Sequence, residues 1–155
     1  TMTDLPENTP METFGFFYSN HKQFGLLVWL VALVHLVLRW RSRAVLPPQP
    51  PALSGWERVL SHAVHWLMIA LTLLTPVLGY MMSSTYTQSD GVPFFFISKL
   101  PNLLPKNDAA FEIFQLLHRY AAYALLSLVA LHIVGGLKHR FLDKNGPTDV
   151  LPRMF

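Results

Sequence analysis

The sequence predicts an all-α integral membrane protein built as an up-down helix bundle, and three observations carry that expectation. Hydrophobic residues make up 52% of the 155-residue chain and charged residues only 14%, against about 25% charged in an ordinary soluble domain. Residues 23–38, 59–89 and 120–137 contain no Asp, Glu, Lys or Arg, and a helix crossing a ~30 Å hydrocarbon core needs about 20 mostly apolar residues. Residues 26–38 (LLVWLVALVHLVL) offer no polar face apart from one histidine, whereas a surface helix of a soluble bundle needs one.

Taken in order, residues 1–19 read as an external loop. It holds Pro6 and Pro10 and ends in Phe14, Phe16, Phe17 and Tyr18, aromatics that suit a membrane interface. The first helix is expected over 20–40, with Lys22 and Arg39 at its ends able to snorkel to the headgroups. Residues 41–55 form a linker whose Pro47, Pro48, Pro50 and Pro51 exclude helix and favour an extended spacer. The second helix is expected over 56–83. Ser54 is placed as its N-cap with Glu57 three residues on, and Pro76 and Gly79 as the source of a kink. Residues 84–110, with three prolines and the Phe94-Phe95-Phe96 triplet, are expected to lie against the outer leaflet. The third helix follows over 111–141, capped by Asp108, and residues 142–155 are the tail.

Charge sets the orientation. Arg39, Arg41, Arg43 and Arg58 face only Glu57 in the first connection, and Lys138, Arg140, Lys144 and Arg153 outnumber Asp143 and Asp149 in the tail. The positive-inside rule puts both segments, and hence the C-terminus, in the cytoplasm. The acidic N-terminal segment then lies outside, although residues 1–20 have neither a basic n-region nor an apolar h-region to carry it there. The expectation is a bundle with three transmembrane helices visible of an expected four, the preceding one lying outside this chain.

The absence of cysteine excludes disulfides, thiolate zinc sites, iron–sulfur clusters and covalent c-type haem attachment. There is no nucleophile triad, catalytic carboxylate pair or Gly-rich phosphate loop. The basic residues sit where topology requires them, which leaves no case for nucleic-acid binding.

The seven histidines are therefore the chemistry-bearing residues, and ionisable side chains within a membrane mark function by default. His118 and His132 are 14 residues apart, which places them within about 40° of one helix face and about 21 Å apart along the axis. His21, at the outer end of the first helix, lies level with His118. Two imidazoles meeting from neighbouring helices form an axial pair for haem iron. Gly25, one turn from His21, leaves room for a porphyrin. A bis-histidine haem has no open coordination position and suits electron transfer. His35 is a geometric alternative partner for His132, or a helix-bridging hydrogen-bond donor. The residues alone also leave open a haem-free membrane anchor whose histidines only bridge helices.

The strings His21-Lys-Gln-Phe-Gly25, Ser61-His-Ala-Val-His65, Thr75-Pro-Val-Leu-Gly79, Leu117-His-Arg-Tyr-Ala121 and Leu131-His132 together resemble the bacterial cytochrome b561 family. The loop Pro93-Phe-Phe, Leu100-Pro and Leu104-Pro105, and the tail from Leu137 to Met154, are similar to that family as well. The resemblance implies a four-helix protein of the bacterial inner membrane that holds two b-type haems and exchanges electrons with ubiquinone or menaquinone. By motif, it makes His21 and His118 the axial ligands of an outer haem and His132 one ligand of an inner haem. His65 then stands near the inner haem and quinone region in a supporting role. His35 departs from the family, which often has arginine there. Two outcomes fit the resemblance: a superoxide:quinone oxidoreductase, with Lys22, Lys99, Lys106 and Arg119 drawing the anion, or the cytochrome subunit of a larger dehydrogenase or respiratory assembly.

Overall fold

A computed structural model of the chain describes residues 10–44, 55–95 and 98–141, without the side chains of Met11, His139 and Arg140. It contains three long helices and one small hairpin: α1 Met11–Arg41, α2 Gly55–Thr85, β1 Val92–Phe94, β2 Ser98–Leu100 and α3 Asp108–Phe141. All three helices are long and apolar enough to cross a membrane, so the protein is mostly helical and multi-pass. The Pro-rich linker, the Ser54 cap and the tail lie outside the described residues.

Helix α1 begins nine residues before its expected start, which corrects the reading of residues 11–19 as loop. Pro10, with ψ of 137°, is the last extended residue, and its carbonyl accepts from the Phe14 amide at 3.1 Å. No proline follows to stop the helix. Phe14 and Tyr18, one turn apart, stack with centroids 5.7 Å apart, so aromatics that suit an interface are carried on the helix itself.

Helix α2 runs unbroken through Pro76 and packs against both α1 and α3. Lys22 of α1 meets Ser83 of α2, while Glu57 of α2 lies 3.6 Å from Lys138 of α3. Consecutive helices therefore run antiparallel, and the early part of α1, the late part of α2 and the early part of α3 share one level. The start of α2 and the end of α3 share the other.

Few side chains are enclosed. Among the described residues, Val64, Leu78, Val92 and Ala121 are the buried apolar ones, while Phe24, Val31, Val34, Leu126 and Val134 are more than half exposed. Apolar surface on that scale is costly in water and is the ordinary exterior of a helix bundle in lipid.

The loop after α2 is an antiparallel hairpin, with Val92 opposite Leu100, Pro93 opposite Lys99 and Phe94 opposite Ser98. The sequence expectation placed this segment against the outer leaflet without specifying its strands. The ends are fastened by polar contacts: the Tyr80 hydroxyl donates to the Pro101 carbonyl, Lys99 pairs with Asp90, and Lys106 donates to the Ser89 and Tyr86 carbonyls at 2.6 and 2.9 Å. Phe95 at the turn packs edge-on against Phe24 of α1. The α3 cap is also corrected. Asn107 Oδ1 accepts from the Ala110 amide at 3.1 Å, whereas Asp108 is the first helical residue and accepts from the Thr87 hydroxyl at 2.6 Å.

Candidate functional site

The level shared by early α1, late α2 and early α3 holds an open cleft lined among others by His21, Lys22, Gly25, Pro76, Gly79 and His118. His21 and His118 face one another across it from different helices, with ring centroids 6.0 Å apart and planes at 82°. Two imidazoles on opposite sides of one metal ion have centroids roughly 6 Å apart, from metal–nitrogen bonds of about 2.0–2.1 Å and about 1 Å from nitrogen to ring centre. The spacing therefore fits a shared metal.

The tautomer fits as well. His118 Nδ1 lies 2.9 Å from the Thr75 carbonyl oxygen. A carbonyl only accepts, so Nδ1 carries the hydrogen and Nε2 is left with a free lone pair. A metal-binding histidine usually donates its second nitrogen to a carbonyl or carboxylate in this way, which fixes the ring and raises its basicity. The contact depends on Gly79. A Cβ there would stand 3.1 Å from Cε1 and 3.2 Å from Nδ1 of His118, closer than ordinary contact. Sequence reasoning took Gly79 only as part of a kink; its position one turn after Thr75 on a proline-containing helix was the available signal. Gly25 has nothing within 4 Å of the place a Cβ would occupy, so this wall of the cleft is open to a flat ligand.

The second level brings together a different pair. His65 of α2 and His132 of α3 have centroids 4.8 Å apart and planes at 78°. His65 Nδ1 donates to the Ser61 carbonyl at 2.7 Å, which again leaves Nε2 free. These rings touch edge to face and are closer than two ligands of one metal ion. His65 was expected only in a supporting position, and its direct contact with His132 could not be read from one helix, because it depends on how α2 and α3 are rotated toward each other. His35 is exposed on α1 and, among the described residues, has no ring contact or hydrogen bond to another histidine. It is not brought to His132. The residues expected to draw an anion are also divided: Lys99 is paired with Asp90 and Lys106 binds loop carbonyls, while Lys22 stands in the cleft beside His21.

Comparison with known proteins shows what the whole chain is similar to. A family model described as prokaryotic cytochrome b561 matches residues 1–155. The chain is also 31% identical over 136 residues to cytochrome b561 homolog 2 of Escherichia coli (strain K12), an overlap covering 86% of this chain and 68% of that protein.

Proposed function

The chain belongs to the prokaryotic cytochrome b561 family, and from that premise we propose that it carries electrons through the membrane between the quinone pool and a second redox partner, with His21 and His118 the residues that would hold its outer haem. Family membership makes it a multi-pass, b-type cytochrome engaged in electron transfer. A b-type haem supplies reversible one-electron chemistry at its iron. The protein's part is to hold two imidazoles at fixed separation and to keep His118 in the Nε2-free tautomer through the Thr75 carbonyl. The single observation that carries the assignment is the 6.0 Å His21–His118 pair with that carbonyl behind it.

At the other level we assign His132 as a ligand of an inner haem, with His65 beside it near the quinone. The positive-inside charge pattern supports a bacterial inner-membrane protein with a cytoplasmic C-terminus. Superoxide is the candidate donor on the outer side: two superoxide anions oxidised to dioxygen release two electrons, which with two protons reduce one quinone to quinol. Asp90 neutralises Lys99, so attraction of an anion to this side rests mainly on Lys22, Lys106 and Arg119. The other candidate is a dehydrogenase or respiratory partner subunit.

The test is a dithionite-reduced minus oxidised spectrum of the purified protein, with haem counted against protein by pyridine haemochrome. Two haems are expected in the complete protein. His21→Ala and His118→Ala should each remove one b-type signal while His132→Ala removes the other. A protein that takes up no haem during supplemented expression sinks the reading in favour of a haem-free anchor. Stopped-flow mixing with superoxide then separates the two outer partners, because only the first reduces the haems directly.

A further inference from the structure

Lys22 is the charged group in the cleft that the ligand assignment does not use. Its Nζ donates to Ser83 Oγ at 2.9 Å and lies 4.2 Å from the centre of the Tyr18 ring. The serine is only 1% exposed, so the ammonium is held at a defined place and is itself half-buried. Among the described residues no carboxylate lies within salt-bridge distance of it; Asp90 is taken by Lys99 and Glu57 lies near Lys138 at the other level. A partly buried ammonium without an anionic partner is unfavourable. Of its three donors, Ser83 occupies one.

Resting on the haem assignment above, we propose that Lys22 is the anchor for a carboxylate on the edge of the cofactor, so that this cleft recognises a dicarboxylate porphyrin rather than a flat apolar ring alone. The residue follows His21 directly in the chain and lines the same cleft. A ligand held between His21 and His118 would share this cleft with the Lys22 ammonium. Tyr18 and Ser83 position that ammonium from two helices, one through its ring face and the other through its hydroxyl. Charge-assisted hydrogen bonds of this kind are roughly twice as strong as neutral ones.

The experiment compares haemin with its dimethyl ester, in which both carboxylates are blocked, on full-length protein stripped of haem and reloaded in detergent. Wild-type protein should prefer haemin by about tenfold or more, the range expected of a charged hydrogen bond. Lys22→Met should bring the two affinities close together, and Lys22→Arg should restore most of the preference. The midpoint potential of the affected haem should fall in Lys22→Met, because removal of a nearby cation favours the oxidised, more positive iron. Lys22→Gln, with helix content checked by circular dichroism, guards against a folding defect of the methionine variant. Wild-type discrimination persisting in both Lys22→Met and Lys22→Gln overturns the proposal. The ligand assignment fails separately: His21→Ala that still binds haemin with an unchanged spectrum removes it whatever Lys22 does.

Discussion

Replacing Gly79 with alanine sets two effects of known sign against each other. The added Cβ would lie 3.1 Å from His118 Cε1 and 3.2 Å from Nδ1. Ordinary carbon contacts begin near 3.4 Å, so the imidazole must retreat from α2 by a few tenths of an ångström. The same retreat lengthens the 2.9 Å hydrogen bond to the Thr75 carbonyl, which leaves from the same stretch of α2. Loss of such a bond behind a metal-binding histidine costs about 10–100-fold in affinity, or about 1.4–2.7 kcal/mol. Against this, Gly→Ala within a helix contributes about 0.8–1.0 kcal/mol to helix stability. The haem-free variant should therefore unfold at or slightly above the wild-type temperature while binding haem at least tenfold more weakly. Haem titration of stripped protein and thermal unfolding by circular dichroism read the two quantities separately. Haem affinity within twofold of wild type, in a protein where His118→Ala abolishes binding, would refute the argument. An equal loss of affinity and stability would make Gly79 a packing residue only.

Three further outcomes are expected. Gly91→Ala should loosen the hairpin, since Gly91 has φ of +128° and its Cβ would meet the Leu100 carbonyl oxygen at 2.6 Å; about 1–3 kcal/mol of strain should appear as faster proteolysis between residues 90 and 100. The hydrogen bond from Lys99, and then its charge, hold the Asp90 carboxyl below the usual carboxylate range. Its contribution to hairpin stability is thus complete above the unfolded value of about 3.9 and is lost as pH falls through the lower folded value. Protection of the Val92 and Leu100 amides, taken relative to the intrinsic exchange rate at each pH, should accordingly be constant from neutral pH to about 4 and fall below, and Lys99→Met should flatten that response. His65→Phe should leave the signal of the His21–His118 haem intact while shifting that of the haem at His132, and identical spectra for variant and wild type would separate His65 from the site.

The three spans were legible because charge-free runs of this length leave few alternatives. The start of α1 was not, since aromatic residues with one acidic neighbour suit a membrane interface and a helix equally, and only the absence of a proline after Pro10 distinguishes them. The hairpin was hidden for a different reason. Its strands are three residues each, too short for an alternating pattern, and β1 contains Pro93. Asn107 and Asp108 are both good capping residues, and one residue of register decided between them. In the site, His21, Gly25 and His118 were readable from spacing and depth. The Thr75 carbonyl was not, because backbone acceptors have no sequence signature. The contact of His65 with His132 needed the relative rotation of two helices, which periodicity within either one does not contain.

The placement of His118 and His132 on one helix also has an electrical consequence. About 21 Å of axial rise separates them, roughly two-thirds of a ~30 Å hydrocarbon core. An electron passing from one level to the other crosses a similar share of the membrane potential, where each elementary charge changes energy by about 2.3 kcal/mol per 100 mV. Transfer between the levels is therefore worth about 1.6 kcal/mol per 100 mV, helped or opposed according to direction. With the two haem sites and the cytoplasmic C-terminus proposed above, an energised membrane, negative inside, would hold electrons at the His21–His118 level and make their inward passage depend on the difference in potential between the two sites.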